Sequence, residues 1–268
     1  MPSFLSCEPV LPRRKVLILS GLVAAPLCGC GAQHALPEPG SAAVAEARQA
    51  IEAAPRLQQR NLSQEQQVEL LRRVSQRVAD ANDPLCRRYL DSGCNFRVAL
   101  ATTDQVNAFA TDGNVVGVTS GMVNTVQNEA ELAAVVAHEY AHHLAQHIRR
   151  AGTRTQLGSI AGALVGAYLG GDQLAQTGAQ LGGGAARLVY SKEEEREADY
   201  LGAYMVHRAG YDLEEAGDIW VRLAQAAGGA QQPSFLSTHP TGPERLAAWE
   251  RTVAEIRSAG RDAMPQRS

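Results

Sequence analysis

The sequence predicts an α+β fold, mainly helical, with a small β-sheet beside a helix that carries His138-Glu139-Tyr140-Ala141-His142. Three observations predict it. N-cap residues followed three places later by Glu or Gln open separate apolar-periodic segments at Ser63, Asn128 and Asp212. Short runs of β-type residues gather between positions 95 and 120. No internal period appears, which excludes a helical-repeat array.

Composition sets the frame. Of 268 residues 45% are hydrophobic and 20% charged, a globular balance that excludes a disordered chain. The net charge of −3 leaves no electrostatic footprint for nucleic acid. Long apolar runs are too few for a polytopic membrane protein.

The N-terminus resembles an address. Arg13, Arg14 and Lys15 precede an apolar run from Val16 to Leu27, too short to span a bilayer, that ends Leu27-Cys28-Gly29-Cys30. The ending resembles a bacterial lipobox with Cys30 as the lipidated residue, although Cys28 departs from the usual small or aliphatic residue. An ordinary cleaved signal or an uncleaved anchor is the alternative. Gly31 is not the Asp that would retain a lipoprotein at the inner membrane. The expected location is therefore the bacterial periplasm, lipid-anchored to the outer membrane. Cys86 and Cys94 flank a turn-like Asp91-Ser92-Gly93, and in an oxidising compartment two such cysteines predict a disulfide. A zinc pair is the rival, but no nearby His or Cys completes it.

The expected divisions are a signal at 1–29, a tether and N-terminal helix at 30–62, a domain at 63–258 and a disordered tail at 259–268. Within the domain a helix runs from Ser63 to about Asp80 with Leu70, Leu71, Val74 and Val78 on one stripe. Strands follow at Asn95–Ala101, Gln105–Ala110 and Asn114–Ser120, the last two joined by the turn Asp112-Gly113-Asn114. The motif helix is expected from Asn128 to about Arg150. The Gly- and Ala-rich stretch 157–188 predicts a tightly packed helix or a flap. Further helices are expected at about Ala185–Ala209, Asp212 to about Ala227, and from Pro243. A loop holds Thr238-His239-Pro240.

His138 and His142, four apart, lie about 40° from each other around a helix, so both rings point one way and can share a zinc ion. Glu139 on the adjoining face can reach a metal-bound water. A third ligand is needed. Ala145 and Ile148 stand where one known layout wants Gly and His, and Asp172 is the sole acidic residue between Glu139 and Glu193. The acidic cluster 193–199 is the remaining source. Glu195 and Asp199 share a face, so Glu195 can ligate while Asp199 accepts a hydrogen bond from a ligand imidazole. Glu193, Glu194 and Glu197 are expected in solvent, paired with Lys192 or Arg196. His143 and His147, about 140° and 180° from His138 on a continuous helix, are expected to stay out of the site. His34 and His207 have no partners in sequence.

His138-Glu139-x-x-His142 followed by Ser191-Lys192-x-x-Glu195-x-x-Ala198-Asp199 resembles metallopeptidase family M48, which includes the CAAX prenyl protease, HtpX, mitochondrial Oma, BepA and LoiP. Asn107-Ala108-Phe109-Ala110, Val118-Thr119-Ser120-Gly121 and Thr238-His239-Pro240 with Arg245 extend the resemblance to about residues 65–255; Lys192 departs from a more usual Arg. The resemblance implies a zincin-like (gluzincin) domain and one Zn²⁺ per chain held by His138, His142 and Glu195. It implies Glu139 as general base and Asp199 orienting a ligand. His239 would contact substrate or latch the open zinc position, and Arg245 would stabilise the oxyanion or substrate backbone. The small size, the lipobox and the missing repeats point to the LoiP-type lipoproteins within the family. The implied activity is endopeptidase cleavage of misfolded or unassembled envelope proteins, with outer-membrane assembly machinery as a possible partner. The alternative is a chaperone-like lipoprotein with a latched site. Asn107, Ala108 and Phe109, or Val115–Thr119, could form an edge strand that takes substrate as an added strand; an internal, fully paired strand is the rival.

Overall fold

The computed structural model describes residues 32–170, 173–174, 176–177, 180, 190–227 and 233–268. The signal-like segment with Cys30, and residues 181–189 of the Gly-rich stretch, lie outside the described residues. Helices α1 (Ser41–Ala53) and α2 (Gln64–Cys86) lead into strands β1 (Arg97–Ala101), β2 (Ala108–Thr111) and β3 (Val115–Thr119). Then come α3 (Ser120–Thr125), α4 (Glu129–Leu144), α5 (His147–Gly170), α6 (Lys192–Arg208), α7 (Leu213–Ala226), α8 (Phe235–Thr238) and α9 (Pro243–Ala259). The fold is α+β and mainly helical, with one three-stranded sheet.

Helix starts follow local chemistry. Ser63 caps α2 through a complete capping box with Gln66, and Asn128 caps α4 by accepting from the Glu131 N–H. Ser191 and Glu194 form a second complete box at the start of α6. That box places the helix start at Lys192 rather than near Ala185. Helix α2 continues past Asp80 to Cys86, which joins Cys94 in a disulfide across the following turn.

The sheet order is β1-β3-β2, with β1 parallel and β2 antiparallel to the central β3. Gly113 and Asn114, at φ 76° and 58°, make the left-handed turn that joins β2 to β3. Val115–Thr119 is thus internal, and β2 is an edge among the described residues.

Helix α4 lies at the centre, against α2, α6, α7 and the sheet. Every residue from Ala130 to Leu144 is buried. Helix α6 packs most closely on it, at Gly202, where an added Cβ would sit 3.4 Å from the His138 main-chain nitrogen. This approach brings the carboxylates of α6 within reach of the histidines of α4.

Three expectations are corrected. The motif helix ends at Leu144, because Gln146 adopts φ 59° and the chain restarts as α5 at His147. The tail is ordered: the Gln266 N–H donates to the Tyr200 hydroxyl, Ala263 is buried, and Arg267 bridges to His34. Helix α5 is not tightly packed along its length, since Ile160, Leu164 and Val165 are exposed. No helix of the described residues is long and apolar enough to cross a membrane.

Candidate metal centre

Two helices and one loop converge on a fully enclosed point. Helix α4 brings His138, Glu139 and His142; α6 brings Glu195 and Asp199; the turn after α8 brings His239. One donor atom each from His138, His142, Glu195 and His239 lies within 4.8 Å of all the others. The His138 Nε2 is 3.1 Å from the His142 Nε2 and 3.2 Å from the His239 Nδ1. Glu195 oxygens stand 3.5 Å from both α4 imidazoles and 3.0 Å from the His239 Nδ1. Donors around a tetrahedral zinc at about 2.0–2.2 Å are about 3.3–3.6 Å apart, so this spacing fits that ion.

Charge agrees with spacing. Glu139, Glu195 and Asp199 are buried beside the single guanidinium of Arg245. The carboxylates outnumber the guanidinium, an excess of buried negative charge that suits a cation. Both Glu139 oxygens are buried with no hydrogen-bond partner, and the nearest ring nitrogen, His239 Nε2, is 3.6 Å away. A buried carboxylate without a partner is costly unless a ligand at the site serves it. Burial raises the Glu139 carboxyl above the usual carboxylate range.

The surroundings set the protonation of each donor. Burial, and then His138, push His142 well below the usual imidazole range, so its ring is neutral. Burial alone would raise Glu195, but Arg245 and His239 outweigh it and keep it ionised. Burial would lower His138, yet the carboxylates of Asp199 and Glu195 hold it up at about 9. The Asp199 Oδ1 accepts from the His138 Nδ1 at 2.9 Å, fixing the tautomer that leaves Nε2 toward the cluster.

His239 and Arg245 resolve differently from each other. The His239 ring stacks on Phe235 at 4.2 Å and offers Nδ1 as a fourth donor. Arg245, expected at the oxyanion or substrate backbone, is corrected to a clamp. Its Nε and Nη2 donate to Asp199 at 2.7 Å each, and Nη1 donates to Glu195 and to the Pro240 carbonyl. A buried guanidinium committed in this way orients the ligand carboxylates and does not face a substrate.

The edge strand is also more specific than expected. Asn107 spends both main-chain groups on Thr119, so alternation along β2 turns those of Ala108 and Ala110 away from β3, on a side where both residues are buried. The main chain of Phe109 faces β3 and its half-exposed ring covers Gly117.

Among known proteins, the sequence model of peptidase family M48 matches residues 65–253, about seven-tenths of the chain. The chain belongs to peptidase family M48. M48 peptidases are zinc-dependent, in keeping with the donor set. Relatives include the mitochondrial metalloendopeptidase OMA1 of Arabidopsis thaliana, 41% identical over 59 residues, 22% of this chain and 12% of that one. The OMA1 proteins of Saccharomyces cerevisiae (35% over 68 residues) and Schizosaccharomyces pombe (33% over 69) match 24% and 25% of this chain. Each matched segment spans 20% of the yeast protein concerned.

Beyond the M48 motif, the structure brings in residues the sequence reasoning set aside. His147, expected outside the site, is buried with its Nδ1 2.9 Å from the His142 Nδ1. A continuous helix would carry His147 away from the site, and the turn at Gln146 breaks it. Glu194 and Glu197, expected in solvent, are buried: Glu194 pairs with Arg154, and Glu197 with His147, His34 and Arg150. Only Glu193 of that trio is exposed. His34, expected without partners, is buried between Glu197 and the Tyr89 hydroxyl. The Tyr190 ring, which no sequence signal marked, stacks on His142 at 3.8 Å.

Proposed function

We propose that this chain is a zinc-dependent endopeptidase of the bacterial envelope, of the LoiP type, that hydrolyses misfolded or unassembled envelope proteins. The observation that carries the catalytic part is the orphaned Glu139 carboxylate beside a four-donor cluster at zinc spacing, within an M48 domain. Zinc, when bound, supplies Lewis-acid polarisation of the scissile carbonyl and of water. Glu139 takes the water proton and returns it to the leaving amine, a role its raised pKa suits. Arg245 and Asp199 keep Glu195 and His138 aimed. The edge of β2 would take an extended peptide by main-chain pairing, which tolerates many sequences, once Ala108 and Ala110, buried in this structure, are uncovered.

The signal-like N-terminus with Cys30 supports export and lipid anchoring at the outer membrane, where assembly machinery would be a neighbour. The test is casein cleavage by the purified chain with and without chelator. Cleavage should stop on chelation and return with zinc. Glu139→Gln should keep the metal and lose at least about 100-fold in kcat; undiminished cleavage would remove Glu139 as base.

One observation favours a second reading. His239 lies within reach as a fourth donor, so a bound zinc would be saturated and the site latched. His239→Ala should then cleave faster than the unvaried chain, and no gain would remove the latch.

A further inference from the structure

We infer that His147 is a positioning residue for the ligand His142, and that Glu197 and the segment Gln33–His34 complete its support. The two ligand imidazoles of α4 are held unequally. His138 donates Nδ1–H straight to a carboxylate, Asp199. His142 has no carboxylate at its Nδ1; it meets the Nδ1 of His147 at 2.9 Å.

Hydrogen-bond logic sets every proton along this chain. His142 offers Nε2 to the cluster, so its proton sits on Nδ1 and is donated to a bare Nδ1 on His147. The His147 proton is then on Nε2, which donates to the Glu197 Oε2 at 3.0 Å. The Glu197 Oε1 accepts from the Gln33 N–H and, at 2.7 Å, from the His34 Nδ1–H. That leaves the His34 Nε2 to accept from the Tyr89 hydroxyl at 2.9 Å. Donation converges on Glu197, from the metal cluster through His147 on one side and from Gln33 and His34 on the other. Reversing any one tautomer would set two donors or two acceptors face to face.

Glu197 follows Glu195 by two positions and so leaves α6 on another face, out of line with His142. An intervening imidazole is what allows this carboxylate to act on the ligand. The break at Gln146 supplies it, by starting a new helix with His147 at its first position. The N-terminal segment is held in turn: the Ala35 N–H donates to the Gln266 carbonyl and the Ser268 N–H to the Gln33 carbonyl.

The inference rests on the zinc reading of the site, so its test measures metal binding directly. Zinc affinity of the full chain is determined by competition with a chromophoric chelator, alongside kcat, KM and the unfolding midpoint. His147→Ala should weaken zinc binding by about 10- to 100-fold and lower kcat with little change in KM. His147→Asn, whose amide oxygen can take the place of the Nδ1 acceptor, should recover part of that loss. His34→Ala should show a smaller loss in the same direction. His147→Ala binding zinc within about twofold of the unvaried chain would overturn the inference by the same outer-shell expectation. Should His147→Ala not fold, Glu197→Gln serves instead, and unchanged affinity there overturns it equally. An unvaried chain that takes up no zinc would instead sink the metal reading itself.

Discussion

Gly202 sets how closely the two ligand-bearing helices meet. A Cβ at this position would lie 3.4 Å from the His138 nitrogen and 3.5 Å from the Ala137 carbonyl carbon. Those are ordinary contacts, so Gly202→Ala fits without movement. It also removes the entropic cost of glycine inside a helix, about 0.5–1 kcal/mol. For a domain of this size that is a rise in Tm of about 1–4 °C. Gly202→Val differs in kind. Its methyls extend about 1.5 Å beyond Cβ, toward main chain that cannot yield. Carbon atoms need about 3.5–4.0 Å, so α6 must retreat by about 1 Å. Zinc coordination tolerates about 0.2 Å, and Glu195 is two helical turns from Gly202 on the retreating helix. The valine variant should lose at least about tenfold in zinc affinity and about 1–3 kcal/mol in stability from overpacking. Chelator competition and thermal unfolding of both variants provide the assay. Native zinc affinity in Gly202→Val, or lost zinc in Gly202→Ala, would refute the reasoning.

Other expectations follow from the same site and its surroundings. Asp199→Asn leaves the Arg245 guanidinium short of a buried partner, so about 3–5 kcal/mol of stability should go, read by urea denaturation; a loss under about 1 kcal/mol would contradict the clamp. His138 stays protonated up to about pH 9, and only its neutral ring ligates. Zinc must therefore displace its proton below that pH, and affinity should fall by up to tenfold per unit as the medium is acidified. Calorimetry at pH 7 in buffers of different protonation enthalpy should find about one proton released per zinc; none released would count against it. Replacing Cys86 and Cys94 by serine opens a loop with eight-residue separation, for which the chain-entropy estimate is about 2.5 kcal/mol. Denaturation of the double variant beside the unvaried chain checks the figure.

Much of this centre was legible because its chemistry is written at short range. The i, i+4 histidines, the i, i+4 pair Glu195 and Asp199, and the cap at Asn128 need only helical periodicity. What escaped depended on tertiary context. Gln146 is neither glycine nor proline, so nothing marked its left-handed turn, and the projection that excluded His147 ran through it. Ser191 and Glu194 do spell a capping box, and reading it would have placed both the start of α6 and the burial of Glu194. Glu197 looked like a solvated charge because its partner His34 is 163 positions away. The tail looked disordered because its holding bonds, to Tyr200, Gln33 and His34, come from distant parts of the chain.

Helix α4 has no solvent-facing side after its first residue. A saturation mutagenesis scored by survival would therefore return a solid block of intolerance across it, in which the ion-binding positions look no different from Leu132 or Val136. Only a screen that separates metal content from protein abundance would make the two imidazoles and the carboxylate between them stand out from their neighbours.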